Sequence, residues 1–146
     1  MTAPRIVVGV SDSPSGRAAL HTGVALARER GADLELVRVW RDVGRLLSLP
    51  WREASLLSDS QRRDQELLDE CLLTVRLLAP EVSCTVRLTR GELYDDLCAA
   101  CRGADLLVVG VGDPQGSSHL IGEWFVKHAP CPVLLVEPER EGAHGG

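Results

Sequence analysis

Apolar positions along this chain fall into two alternating kinds of pattern. Arg5-Ile-Val-Val-Gly-Val10 is a short β-branched run without polar alternation, which suits a strand covered on both faces. Ser11-Asp-Ser-Pro-Ser15 follows as a turn and cap cluster. Ala19, Leu20, Gly23, Val24 and Ala27 then recur at helical spacing, and Gly31 ends that helix. Leu34 to Trp40 is a second strand. Residues 61–79 place Leu67, Leu68, Cys71, Leu72, Val75 and Leu78 on one stripe, and Pro80 stops the helix. Ser83 to Leu88 alternates as a more exposed strand. A helix after Gly91 turns Leu93, Leu97, Ala100, Cys101 and Ala104 inward. Leu106 to Val109 is a second double-sided run, residues 119–129 are the last helix, and Pro132 to Val136 the last strand.

Five strands alternating with four helices predict an α/β fold, an open and mostly parallel sheet with helices on both faces. In such sheets ligands bind outside the carboxyl ends of the strands, where strand order reverses. The loops after the first and fourth strands, Ser11 to Ser15 and Gly110 to Ser118, are therefore the candidate site. The segment 41–60 fits this scheme least well. Leu46, Leu47, Leu49 and Trp51 stand among Gly44, Pro50 and several serines. It reads as a broken helix packed on the sheet, or as a loop offering a surface to a protein partner.

Composition narrows the picture. One domain occupies residues 1–137, and residues 138–146 are a charged, glycine-rich tail expected to be flexible. A formal net charge of −5 argues against nucleic-acid partners and anionic membrane surfaces. No apolar run approaches the roughly 20 residues of a membrane helix. With no signal-peptide pattern at the N-terminus, a cytoplasmic location is expected. The odd number of cysteines, five, then argues for reduced thiols. Cys98-Ala-Ala-Cys101 has the spacing of a redox pair, yet falls inside a helix instead of at its start. No metal site is indicated, because His21, His119, His128 and His144 lack Cys or His partners at zinc-site spacing. No catalytic residue can be named either, since no nucleophile–base or paired-carboxylate arrangement emerges from spacing.

Four stretches together resemble the universal stress protein family: Val8-Gly-Val10 with Ser13-Pro-Ser15, Arg90-Gly91, Gly103 to Gly110, and His128-Ala-Pro-Cys-Pro-Val133. The likeness spans residues 5–137. It implies a Rossmann-like sheet of the adenine nucleotide alpha hydrolase type, with strand order 3-2-1-4-5. It also implies a homodimer paired through the last strand, Pro132 to Val136, an apolar edge that needs cover.

Family members either bind ATP or do not. Binders carry a glycine loop (Gly, two residues, Gly, nine residues, Gly, then Ser or Thr) and an acidic residue just after the first strand. Here Ser11 takes the acidic position and Asp12 is displaced by one. Counted from Gly110, the loop glycines are replaced by Asp113 and Glu123; counted from Gly112, Gly122 is reached but Glu123 follows it. Counted backward from His128, the Gly-Ser position falls on His119-Leu120 and the loop is short. Each register leaves a damaged phosphate cradle, and the acids would repel polyphosphate. Ser117 or Ser118, after Gly116, can serve as helix caps or as phosphate donors. Val39 matches an adenine-contacting position and is equally explained as core.

The expected function is that of a dimeric, non-enzymatic stress-response protein with weak or absent ATP binding and no cofactor. The alternative is an ATP-binding module, with Mg, built from Ser11, Asp12, Val39, Gly110, Gly112, Gly116, Ser117 and Ser118. A slow nucleotide hydrolase is the remote third reading.

Overall fold

The chain threads five parallel strands in the order β3-β2-β1-β4-β5. The structure is a computed structural model that describes residues 3–40, 50–90, 93–112 and 118–138. Its elements are β1 (Arg5–Gly9), α1 (Pro14–Arg30), β2 (Asp33–Trp40), α2 (Pro50–Leu78), β3 (Cys84–Arg90), α3 (Leu93–Ala100), β4 (Leu106–Gly110), α4 (Ser118–His128) and β5 (Val133–Val136). Every neighbouring pair is parallel, including β1 with β2 and β1 with β4.

The lack of polar alternation in β1 is explained by its central place. Ile6, Val7 and Val8 have no exposure at all, because helices cover both faces. Alternation along the strands splits the core into two layers. Ile6, Val8, Leu34 and Leu36 face α1 and α2, together with Leu20, Val24, Leu68 and Val75. Val7, Val37, Leu107 and Val109 face Leu97 and Cys101 at α3 and Phe125 on α4.

Helix α1 begins and ends as its sequence dictates. Ser13 is the N-cap, its Oγ accepting the Gly16 N–H at 3.0 Å. Gly31 closes the helix in the left-handed region at φ 62°, a conformation that glycine adopts without steric cost. Helix α2 differs from the sequence expectation. It starts at Pro50, so residues 50–60 continue the helix predicted over 61–79 and are not a broken one. The physical reason is that proline fits the first turn, where its missing N–H would go unpaired anyway. Residues 41–49 lie outside the described residues. Leu78, expected in the buried stripe, is 45% exposed, and Val75 and Ala79 fill the core in its place. Of the tail, residues 139–146 lie outside the described residues.

Candidate functional site at the strand-order reversal

The chain leaves β1 toward β2 on one side, while β4 lies on the other, so the reversal point sits at the carboxyl ends of β1 and β4. Val10 is held there by its N–H donating to Val37 O at 2.8 Å. Beyond it, Ser11 Oγ and Ser13 Oγ are 2.9 Å apart, and Ser13 Oγ and Ser15 Oγ 3.4 Å apart. These three hydroxyls form a chain across the first turn of α1. The helix N-terminus is an anion-attracting end, yet part of its donor capacity is already used by Ser13.

Gly110 ends β4 directly against this turn. A Cβ at position 110 would lie 2.6 Å from Ser15 Oγ and would also overlap the Ser15 carbonyl. Protein atoms therefore account for this glycine. The same holds at Gly122 on α4, where a Cβ would meet Val111 Cγ1 at 2.6 Å. Gly112 differs: its φ of 84° requires the left-handed region, and a Cβ there would meet only ordinary contacts with Glu137 and Pro138.

The other predicted residues separate. Asp12 turns outward to Arg17, with 3.3 Å between them and both side chains largely exposed, an arrangement worth little energetically. Val39 is buried on β2, in register with Thr89 of β3. Ser118 opens α4. Gly116 and Ser117, with Asp113, lie outside the described residues. Thus Ser11, Ser13, Ser15 and Gly110 come together, and Asp12 does not join them.

Two residues at this end escaped sequence reasoning. Arg38 on β2 donates from Nη1 to Val10 O at 3.2 Å and from Nε to Asp64 Oδ1 at 3.0 Å. It ties the exit of β1 to α2 through a carboxylate that is only 9% exposed as a residue. The available signal was an arginine inside an otherwise apolar strand.

Among the described residues no group of three or more His, Cys, Asp or Glu side chains can hold a metal. His128 is occupied elsewhere, stacked on Trp124 at 4.6 Å with Nδ1 3.0 Å from Trp124 O. A cavity of about 590 Å³ lies at the opposite end of the sheet, lined by Pro4, Arg5, Asp33 and Asp105.

The family model of the universal stress protein family matches residues 3–137. The chain belongs to the universal stress protein family. A universal stress protein of Mycolicibacterium smegmatis is 26% identical over 139 residues, covering 91% of this chain and 45% of that relative. The chain thus spans about half the length of the curated relative it matches. Among solved structures, a universal stress protein family member from Burkholderia pseudomallei aligns with a TM-score of 0.73 at 25% identity, covering 94% of this chain and 97% of that one. An Arabidopsis thaliana family protein with AMP bound aligns with a TM-score of 0.69 at 18% identity, covering 93% and 92%. The sheet order 3-2-1-4-5 implied by the resemblance is the observed one. No helix among the described residues is long and apolar enough to cross a membrane.

Proposed function

We propose that this universal stress protein family member is a homodimeric, non-enzymatic stress-response protein, cytoplasmic, whose nucleotide loop has degenerated and which binds ATP weakly or not at all. The observation that carries this reading is the packing of Ser15 against Gly110. In a phosphate cradle a glycine lets the ligand approach the backbone; here the missing side chain of Gly110 makes room for Ser15 in the turn of α1. Ser11 in the position of the acidic residue, and the exposed Glu123, support the same reading. The dimer would pair through Pro132 to Val136. β5 is an edge strand, and its four residues are only half-buried in the single chain. Segment 41–60 is the proposed surface for a protein partner.

A second reading, an ATP-binding module using Mg, is favoured by one observation. The Arabidopsis relative carries AMP, and an Archaeoglobus fulgidus universal stress protein is in complex with dAMP. Thermal melting with and without millimolar Mg-ATP separates the two. A ligand at 100 times its dissociation constant stabilises by about 2.7 kcal/mol, so an unmoved transition supports loss of the site and a rise of several degrees supports the module. Sedimentation at tens of micromolar should give a dimer; a monomer would contradict edge pairing.

A further inference from the structure

Helix α2 carries an apolar patch that the fold does not use. Its packing face holds Leu68, Val75 and Ala79, all without exposure, in the core layer that contains Leu34 and Leu36. At 3.6 residues per turn, Leu73 points to the side opposite that face, and Leu77 stands one turn further along on the same side. The two leucines are 58% and 75% exposed. The solvent side of a helix in a lone chain is normally polar. Helix α2 lies over β2 and β3, at the end of the strand order opposite β5. Edge pairing through β5 therefore leaves this patch uncovered.

The charges around the leucines suit a second copy of the same helix running the other way. Asp69 and Arg76 share one flank of Leu73, and Glu70 and Leu77 share the other. Before Leu73 this side carries the exposed acids Glu66, Asp69 and Glu70; after it stands the exposed Arg76. A parallel copy would lay acid on acid. An antiparallel copy, related by a two-fold axis at Leu73, keeps each flank on its own side and reverses the order along it. Arg76 lies three residues beyond the axis and Asp69 of the second copy four, so the two come level to within one residue rise, about 1.5 Å. Leu73 then meets Leu73 of the second copy, and Leu77 lies along the stem of its Glu70. Gln65 Nε2 donates to Asp69 Oδ1 at 3.1 Å, which leaves Oδ2 for the guanidinium.

We propose that the solvent side of α2 is a self-association surface. Two copies of this chain pair there antiparallel through Leu73 and Leu77, with Arg76 of each opposite Asp69 of the other. So small an apolar patch makes a weak contact by itself. It forms at high protein concentration and adds to any other contact between chains. It does not depend on the β5 pairing.

The test is sedimentation of the full chain from tens to hundreds of micromolar. At the upper end, Leu73→Glu/Leu77→Glu should halve the mass of the parent species. Dimer becomes monomer when α2 is the sole contact, and tetramer becomes dimer when β5 pairs as well. Arg76→Asp and Asp69→Arg should each weaken the association by about tenfold or more, because each sets like charges face to face. The combined variant Arg76→Asp/Asp69→Arg exchanges the partners and should restore the parent mass. All four positions are exposed, and thermal melting checks that each variant keeps its fold. Should the leucine variant fail to fold, the charge exchange still decides. A parent mass unchanged by the leucine substitutions, a monomeric parent at every concentration, or a charge-exchanged variant that stays dissociated would overturn the proposal.

Discussion

Gly110→Ala asks whether the glycine at the end of β4 exists for packing or for a ligand. The added methyl would lie 2.6 Å from Ser15 Oγ and overlap the backbone carbonyl of the same residue. Ser15 is 1% exposed and sits in the first turn of α1, so the neighbour is fixed backbone, not a side chain that can swing away. Overpacking of this kind costs about 1–3 kcal/mol, and the backbone contact puts this case in the upper half of that range. For a domain of this size about 3 °C is lost per kcal/mol, so melting followed by circular dichroism without nucleotide should fall by about 6–9 °C. Ser15→Ala in the same chain should not restore it, because the carbonyl overlap remains. A Gly110→Ala protein melting within about 1 °C of the parent would refute the packing argument and return the glycine to a ligand.

Three further outcomes follow from the same structure. Asp64→Ala removes the partner of Arg38 and should cost roughly 1–3 kcal/mol in urea titration, with Asp64→Asn falling between it and the parent. Phe125→Ala empties a 1% exposed position between α4 and the sheet, and should cost about 3–5 kcal/mol in the same assay. Stability should also decline with alkali. Burial holds the Cys101 thiol up at about 12 and Cys84 at about 11, against 9.0 ordinarily; the folded state thus keeps protons that the unfolded chain releases. Stability is complete below pH 9 and falls as pH rises toward 12, by up to about 1.4 kcal/mol per unit for Cys101. Denaturant titrations between pH 8 and 11 check this, and Cys101→Ala should flatten the fall.

Elements whose burial pattern is local were legible in the sequence. The double-sided runs at Ile6–Val8 and Leu106–Val109 announced central strands, and Ser13 and Gly31 marked both ends of α1. The start of α2 was not legible, because Pro50 breaks a helix interior but opens a first turn, and sequence alone does not separate the two cases. At the site, the grouping of Ser11, Ser13, Ser15 and Gly110 followed from the sheet topology alone. The Arg38–Asp64 pair was hidden because it joins residues 26 apart in sequence through tertiary packing. Whether a glycine is vacant or filled depends on where a distant helix comes to rest, as Gly110 and Ser15 demonstrate.

The central claim is that this family member has given up a working nucleotide site. Isothermal titration of the full chain with Mg-ATP, with AMP as a second titrant, tests it most directly. The account predicts no saturable binding of Mg-ATP at millimolar concentration. A one-site isotherm in the micromolar range, corresponding to about 8 kcal/mol of binding free energy, would contradict it.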